Sequence, residues 1–313
     1  MTITPLKIAI LLSTCDSYWP IACLTQEKIH QFWKDHPPIY VAGVSQIKGK
    51  DYLPFSGDPR NWVHVTFEAV HALKEQGFQY LFLILDDHPP LGTCHTRYMN
   101  NLLPSEAMKL GAVNVNLMGW EQFQPWQGEH LDESHLHFMH NHADFKWKFS
   151  LHPGLWEVKS LCLILERLLH DFPEVTTARA FEGQAERAGM LAVKDVQEKT
   201  FRVCGDRYAA GHRWFEQRTK RRMAIFLLHA CRWSTRLWGG KERLSRIDQE
   251  SSIYIKYLNG PYPMYWSGLM QQGRPHEDAL HFLTRTGQGK LAAQIRNLSK
   301  GKNNGISRNM QPC

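Results

Sequence analysis

The chain has 313 residues, 43% of them hydrophobic and 21% charged, which is enough for one large folded domain or a domain with an appendage. Its formal net charge of +7 and its pI near 9.0 predict attraction to anionic partners such as nucleotides, nucleic acids or a membrane surface. No stretch reaches the length of about 18 to 20 apolar residues that crosses a bilayer, which excludes the class of integral helical membrane proteins.

The first half of the chain alternates strand and helix patterns. An apolar run over residues 7–13 predicts a first strand rather than a secretory signal, because the run is short and no basic side chain stands within residues 1–5. Further along, the patterns predict helices over 19–35 and 62–76 and strands over 39–44 and 80–85. This alternation is typical of a three-layer α/β fold with a mixed, mostly parallel sheet. Such folds bind ligands at the carboxyl ends of their strands.

The second half of the chain is less regular. We expect helices over residues 97–110, 155–170 and 184–192 and a strand over 113–118. Residues 119–144 are rich in Trp, Gln and His, and their five histidines lack the spacing of a zinc site, so we interpret them as part of a polar loop. One of these histidines could still complete the coordination of a metal held elsewhere in the fold.

The cysteines bear on the compartment of the protein. The chain contains seven of them, with no CxxC pair and no even framework. This pattern predicts reduced thiols and a reducing compartment. We therefore expect a cytoplasmic protein, with peripheral contact to the inner face of the membrane if its basic region binds lipid.

That basic region extends from Arg202 to Arg246, where twelve Lys and Arg residues outnumber three acids. On a helix, Arg222 and Arg236 would occupy one sector, and apolar residues such as Leu227 and Trp238 would occupy the opposite one. A basic amphipathic helix with tryptophans is typical of contact with an anionic membrane surface. A basic helix that packs on the domain and exposes its arginines explains the pattern equally well. No recognition motif accompanies the charge, so we expect no nucleic-acid partner.

Two adjacent carboxylates, Asp86 and Asp87, follow the apolar run Tyr80–Leu85. They form a candidate site, because α/β sheets bind ligands at the carboxyl ends of buried parallel strands. Neighbouring carboxylates repel each other unless a cation, a proton or hydrogen-bond donors stabilise them. A divalent metal that carries a substrate's phosphates is the common solution, and it predicts Mn²⁺ or Mg²⁺ bound by Asp87 and the adjacent His88. Alternatively, one carboxylate caps the next helix or pairs with Arg97.

Thr14, Asp16 and Tyr18 follow the first strand at the same edge of the predicted sheet. An Asp side chain at this place can accept a hydrogen bond from a ribose or a base, and an aromatic ring can stack on the base. We therefore expect these three residues to contact a nucleoside. An Asx turn that starts the first helix is an equally good interpretation of the same residues.

Four blocks of the sequence resemble bacterial glycosyltransferases of the GT-A type. The blocks are the strand Lys7–Thr14, the Asp86–Asp87 strand end, the segment Phe149–Trp156 and the pair Phe181–Glu182. The group they resemble has a Leu-Asp-Asp or Leu-Glu-Asp strand end, a Phe-Ser-Leu-Gln-Pro-x-x-Trp segment and a later Trp-x-Phe-Glu. The resemblance covers roughly residues 7 to 190, with His152 at the position of the Gln.

The resemblance implies a GT-A-like, Rossmann-like three-layer sandwich that takes a sugar from a nucleotide-diphosphate donor to a hydroxyl of a glycan or lipid-linked acceptor. It implies that Asp86 binds the ribose or the sugar and that Glu182 is the general base for the acceptor hydroxyl. We also expect Lys148 to neutralise the departing diphosphate. Alternatively, Lys148 is an exposed surface lysine. Glu182 would then be an acid near the N-terminus of a helix, where its negative charge interacts favourably with the helix dipole.

The patterns divide the chain into three predicted parts: a nucleotide-sugar-binding catalytic domain over 1–200, a basic, aromatic-rich helical appendage over 201–300, and a flexible tail over 301–313. The appendage would complete the acceptor side or contact the membrane. Two rival functions use the same fold. A nucleotidyltransferase usually carries a glycine-rich loop after its first strand, and residues 13–20 contain no glycine. A non-catalytic binding protein would explain why Asp-Asp-His replaces the Asp-x-Asp of active glycosyltransferases.

Overall fold

A computed structural model describes residues 6–45, 47–117, 136–141, 148–205, 257–258, 260–271 and 273–302. The strands in these ranges are β1 (Ile8–Ser13), β2 (Ile39–Ala42), β3 (Tyr80–Leu85), β4 (Asn114–Asn116), β5 (Leu136–His140), β6 (Gly154–Glu157), β7 (Thr200–Gly205), β8 (Tyr257–Leu258), β9 (Met264–Tyr265), β10 (Met270–Gln271) and β11 (Arg274–Pro275). The α-helices are α1 (Trp19–Phe32), α2 (Trp62–Glu75), α3 (Leu103–Leu110), α4 (Val158–Asp171), α5 (Ala178–Ala192), α6 (Glu277–Arg285) and α7 (Gly289–Lys302).

Seven of these strands form one mixed sheet with the order β2-β1-β3-β6-β4-β7-β5. Strands β2, β1, β3, β4 and β7 run in one direction, whereas β6 and β5 run antiparallel to their neighbours. Helices α2, α4 and α5 cover one face of the sheet, and α1 and α3 cover the other. The structure therefore confirms the α/β architecture with a mixed, mostly parallel sheet.

Strand β3 lies inside the sheet between β1 and β6, and it has the bounds predicted from its six apolar residues. Its side chains alternate between the faces, so that Phe82 packs in one core cluster with Ile10 and Leu83 packs in the other with Leu11. Because helices cover both faces, the strand is apolar throughout instead of alternating with polar residues. Burial of each such side chain contributes about 1.5 to 3 kcal/mol. The strand end that carries the two aspartates is thus rigidly held.

Helices α2 and α5 begin with side-chain caps. Asn61 accepts a hydrogen bond from the N–H of His64 at 3.1 Å, and Thr177 accepts one from the N–H of Ala180 at 3.2 Å. Helix α2 ends before Gly77, which has a φ of +80° and occupies the left-handed position predicted for it. The local sequence thus sets where both helices begin.

The helix predicted over 155–170 was wrong in its first turn, because residues 154–157 form β6 and α4 begins at Val158. Leu155 and Trp156 pack in the core clusters on opposite faces of the sheet. Strand β6 pairs with β3 on one side and β4 on the other. Four residues between a proline and a helix are too few to show a strand pattern in the sequence.

Other boundaries also differ from the predictions. Helix α5 begins at Ala178, well before the helix predicted over 184–192, so that Glu182 lies inside a helix. The helix predicted over 97–110 is present as a π-helical turn, Tyr98–Leu102, followed by α3. Strand β7 covers Thr200–Gly205 and pairs with β4 in the same sheet.

The carboxyl-terminal segment 257–302 packs on the end of the sheet. The Tyr262 hydroxyl donates a hydrogen bond to the carbonyl of His88 at 2.8 Å, and the N–H of Leu269 donates to the carbonyl of Asp87 at 2.8 Å. The segment therefore covers the residues that follow β3. Most of the predicted basic region between Arg202 and Arg246, namely residues 206–246, lies outside the described residues. So do residues 303–313 of the predicted tail and His130, His135 and His142 of the predicted polar loop.

Two further expectations concern helix length and thiols. In the part of the chain that the structure describes, no helix is long and apolar enough to cross a bilayer. Cys15, Cys94 and Cys162 carry free thiols. Cys23, however, is disulfide-bonded. The expectation of reduced thiols was wrong at this position, because the partners of a disulfide meet in the fold and cannot be identified from their spacing.

Candidate functional site

The candidate site lies at the carboxyl ends of β1 and β3. These strands are parallel neighbours, with Ser13 opposite Leu85. The N–H of Asp86 continues the ladder and donates to the carbonyl of Ser13 at 3.1 Å. The residues that follow the two strands therefore meet, as expected from the order of the elements.

Asp86 is held by two threonines. The Thr14 hydroxyl donates a hydrogen bond to Oδ2 of Asp86 at 2.7 Å, and the Thr25 hydroxyl, on α1, donates to the carbonyl oxygen of Asp86. The Asp86 side chain is half-buried. The structure thus brings together Thr14 and Asp86, which the sequence placed at the same edge.

Asp87 and His88 are joined by a hydrogen bond. The Nδ1 atom of His88 lies 2.8 Å from Oδ1 of Asp87, whose side chain is 16% exposed. The Nε2 atom of His88 lies 3.4 Å from the carbonyl oxygen of Trp266. Burial alone would lower the pKa of His88, but the charge and hydrogen bond of Asp87 and the Trp266 carbonyl outweigh it, so the pKa is raised.

This geometry bears on the predicted metal site. Both ring nitrogens of His88 point to oxygen atoms of the protein, and a nitrogen that donates a hydrogen bond has no lone pair for a metal. The Oδ1 atom of Asp87 faces His88, and its Oδ2 atom lies 2.4 Å from the position that a Cβ at residue 268 would occupy. Within the described ranges, no group of three or more His, Cys, Asp or Glu side chains is placed to hold a metal ion. Both nitrogens of His88 thus contact protein oxygens in this structure, and the metal site at Asp87 and His88 stays a prediction.

Tyr18 and Asp16 belong to a short 3₁₀ turn, Asp16–Tyr18, that follows β1. The Tyr18 side chain is half-buried, and its pKa is raised by burial and by the neighbouring charges of Asp86 and Asp87. Asp16 accepts hydrogen bonds from the N–H of Ser45 at 2.9 Å and from its hydroxyl at 2.5 Å. Tyr18 thus joins the acidic pair, whereas Asp16 ties the loop after β1 to the loop after β2.

Glu182 projects from α5 toward the loop that precedes β6. Its Oε1 atom accepts a hydrogen bond from the N–H of Leu151 at 2.8 Å and lies 3.1 Å from the Ser150 hydroxyl. The described residues make no hydrogen bond to its Oε2 atom in the structure. Among the described residues, Glu182 is thus held through its Oε1 atom.

A short chain of contacts links Glu182 to the acidic pair. The Ser150 hydroxyl also contacts Nδ1 of His152, and Nε2 of His152 lies 2.8 Å from the carbonyl oxygen of Trp266. The same carbonyl is the neighbour of His88, and the two histidine rings are 5.4 Å apart. The structure therefore places Glu182 and Asp87 at two ends of one cluster.

His152 is neutral in this cluster. Burial and the nearby charge of His88 lower its pKa to about 3. Its ring stacks on Trp266 at a centroid distance of 5.9 Å and an interplanar angle of 10°. Sequence reasoning noted His152 only as a difference from Gln, and it missed Ser150, Trp266 and Gly268. The Phe-Ser-Leu-His-Pro block could have indicated the first of these, but no local pattern marks the other two.

Lys148 lies inside the protein. Its side chain is 1% exposed, and its ammonium forms an ion pair with Oε1 of Glu186 at 2.9 Å. The interpretation of Lys148 as an exposed surface lysine was therefore wrong. Its charge is compensated by Glu186, one helical turn beyond Glu182, so Lys148 joins the same side of α5 to the loop before β6.

Comparison with known proteins identifies no family for this chain. No protein-family model matches the chain, and no curated protein is significantly similar to it. The resemblance to glycosyltransferases therefore rests on the sequence motifs alone.

Proposed function

We propose that the protein is a glycosyltransferase that moves a sugar from a nucleotide-diphosphate donor to a hydroxyl group of a glycan or lipid-linked acceptor. The observation that supports this proposal is the hydrogen bonding of Glu182. Its Oε1 atom contacts Ser150 and Leu151, whereas its Oε2 atom has no hydrogen bond to the described residues. A carboxylate in this state can accept the proton of an acceptor hydroxyl. The contacts through Ser150 and His152 connect it to the acidic strand end.

The acidic end of β3 is the donor side in this proposal. Asp86 and Thr14 would bind hydroxyl groups of the ribose or sugar, and the Tyr18 ring would lie beside the nucleoside. Because both nitrogens of His88 contact protein oxygens, we assign no step to a metal ion. Residues 206–246 of the basic region, which lie outside the described residues, remain a predicted contact with the acceptor or with an anionic membrane.

The experiment is a panel of UDP- and GDP-sugars with the full-length chain, in which released nucleoside diphosphate is measured. We expect E182Q to reduce turnover by about 100-fold or more, since general bases contribute rate factors of this order. E166Q, which changes an exposed acid on α4, is the matched control and should turn over normally. Parallel assays with a chelator and with added Mn²⁺ measure any need for a metal. Normal turnover of E182Q would refute the role of Glu182.

A non-catalytic binding protein is the second candidate, and a specific observation favours it. The carboxylate of Asp16 is engaged by Ser45, and that of Asp87 is engaged by His88. Two of the predicted ligand-binding acids are thus already occupied by the protein. This candidate predicts that a nucleotide-sugar binds in a calorimetric titration but that no nucleoside diphosphate is released with any acceptor.

A further inference from the structure

Two histidines outside the candidate site face each other at the end of α1. His30 lies in the last turn of α1, and His36 lies in the loop that leads to β2. The Nδ1 atom of His30 is 2.8 Å from the Nε2 atom of His36, and the centroids of the two rings are 4.7 Å apart. We propose that this pair binds a divalent transition-metal ion that prefers imidazole nitrogen, such as Cu²⁺ or Zn²⁺. The proposal goes beyond the proposed function and does not depend on it.

The contacts of His36 orient its ring as those of a metal ligand. The Nδ1 atom of His36 lies 2.7 Å from the carbonyl oxygen of Pro37. A carbonyl oxygen only accepts hydrogen bonds, so Nδ1 carries a proton, and the Nε2 atom of the neutral ring presents a lone pair. Histidines that bind metals commonly donate their second nitrogen to a backbone carbonyl in this way. The lone pair of His36 faces His30.

One proton separates the two facing nitrogens. Because Nε2 of His36 accepts, Nδ1 of His30 donates, and Nε2 is the unprotonated nitrogen of the His30 ring. Burial and the nearby His36 lower the pKa of His30, so this ring stays neutral at neutral pH. When a metal ion enters, the proton of His30 moves from Nδ1 to Nε2, on a residue that is exposed to water. Both facing nitrogens then bind the ion, and no proton is lost overall.

The distance between the nitrogens is close to that of two ligands of one ion. Imidazole nitrogens bind such metals at about 2.0 to 2.1 Å, which places two of them about 2.9 Å apart at a right angle and about 3.3 Å apart in a tetrahedron. The observed 2.8 Å is closest to the right angle, which Cu²⁺ prefers. A rotation of the exposed His30 ring aims both lone pairs at one ion. Water would complete the shell, since the described part of the chain places no group of three or more His, Cys, Asp or Glu side chains around an ion.

The loop that carries His36 is held in place before any ion binds. Asp35 has a left-handed backbone with a φ of +51°, and its carbonyl oxygen accepts a hydrogen bond from Nδ2 of Asn100 at 2.6 Å. The Oδ1 atom of Asn100 accepts one from Nε1 of Trp33 at 2.9 Å, and Trp33 is fully buried. Two prolines follow His36 and restrict the backbone further. A ligand that is already ordered loses little conformational entropy on binding, which favours affinity.

A metal ion at this site would stabilise the fold. The two histidines are six residues apart and lack the i, i+4 spacing of a helical pair, so they meet when the loop has its folded shape. An ion that prefers the folded state stabilises it by mass action. The ion would join the end of α1 to the segment that enters β2, and α1 also carries Thr25, whose hydroxyl bonds the carbonyl oxygen of Asp86. We therefore expect Cu²⁺ to raise the temperature of thermal unfolding.

The first test identifies the ligands directly and needs no variant. The chain contains 17 histidines, so the measurement must separate one from another. In protein labelled with ¹⁵N-histidine, Zn²⁺ should move Nδ1 of His30 and Nε2 of His36 together to the positions of metal-bound nitrogens. The proton of His30 should appear on Nε2 in the same titration. If Zn²⁺ saturates other histidines and leaves these two resonances in place, the pair is only a hydrogen bond and the proposal is overturned.

The second test is a calorimetric titration of the full-length chain with Cu²⁺. In H30N/H36Q the amides occupy the places of the two facing nitrogens, so that a hydrogen bond can replace the original one while both metal ligands are lost. H71N/H281N is the matched control, since it also removes two exposed histidines, which lie apart on α2 and α6. We expect the wild-type chain and the control to bind one Cu²⁺ at least about tenfold more tightly than H30N/H36Q.

Thermal unfolding of the same three proteins, with and without Cu²⁺, completes the test. The ion should raise the unfolding temperature of the wild-type chain and of the control, and it should leave that of H30N/H36Q unchanged. Equal titrations and equal shifts for all three proteins would show adventitious binding to scattered histidines and would overturn the proposal. Neither test measures sugar transfer, so a failure of the proposed function would leave both results standing.

Discussion

Gly268 packs directly against the carboxylate of Asp87, with its backbone in the left-handed region at a φ of +72°. A Cβ atom at position 268 would overlap Oδ2 of Asp87. The next residue, Leu269, donates its N–H to the carbonyl oxygen of Asp87 at 2.8 Å. The position of the acidic pair therefore depends on a segment that is remote from β3 in the sequence.

We expect G268A to destabilise the protein by about 3 kcal/mol, and G287A to destabilise it by about 1 kcal/mol. Both glycines have positive φ values, but a Cβ at 287 has nothing within 4 Å. G287A thus carries only the backbone strain, whereas G268A must also push the Asp87 carboxylate away from His88. Urea denaturation measures both values. Equal losses for the two variants would show that the Asp87 carboxylate moves aside at no cost.

The neutral state of His152 predicts a dependence of stability on pH. Its pKa is about 3 in the folded protein and 6.5 in the unfolded reference, so between these values the unfolded chain binds more protons and stability falls as the pH falls. From pH 8 to pH 5 this linkage costs about 2 kcal/mol. Glutamine does not titrate, so H152Q should lack this part of the loss.

The measurement is a pair of urea denaturation curves for each protein, one at pH 8 and one at pH 5. His88 acts in the opposite sense, because its raised pKa gives stability that is present at low pH and fades as the pH rises through that pKa. Both proteins contain His88, so the difference between them isolates His152. Parallel losses in the wild-type protein and H152Q would mean that His152 takes up a proton in the folded state.

The ion pair of the buried Lys148 with Glu186, whose side chain is 38% exposed, predicts coupling between the two residues. E186Q would leave the Lys148 ammonium buried without its counter-charge, and we expect a loss of about 3 kcal/mol. K148M removes the buried charge and should cost about 1 kcal/mol. The double variant K148M/E186Q should resemble K148M, which gives a coupling of roughly 3 kcal/mol in a double-mutant cycle.

The matched control for this cycle is the pair Lys109–Glu106, which is exposed on α3. Exposed pairs contribute little, so E106Q should change the stability by less than about 0.5 kcal/mol. Additive effects of K148M and E186Q would contradict the coupling. They would indicate that Lys148 finds another partner when Glu186 is neutral.

The features that the sequence predicted well are those set by neighbours in the chain. Strand β3 was bounded correctly by its apolar run, and the meeting of Thr14 with Asp86 followed from two parallel strands that end at one edge. The role of His88 could not be predicted in this way. Its Nε2 atom lies 3.4 Å from the carbonyl oxygen of Trp266, which belongs to a segment remote from β3 in the sequence. Such contacts arise from packing between remote segments and leave no periodic pattern.

Tyr18 offers a direct test of the donor side of the proposed site. Burial and the charge of Asp86 keep its phenol protonated, and the backbone of Gly273 bonds its hydroxyl. We expect Y18F to keep the fold and to weaken the binding of a nucleotide-sugar by about tenfold, the typical effect of one lost hydrogen bond near a charge.

Y40F is the matched control, since Tyr40 lies on β2 and its ring packs on Phe78. Calorimetric titration of the wild-type protein and both variants with the same donor gives the affinities. Thermal unfolding at an unchanged temperature would show that Y18F keeps its fold. Equal affinities of Y18F and the wild-type protein for the donor would then exclude the Tyr18 hydroxyl from the donor site.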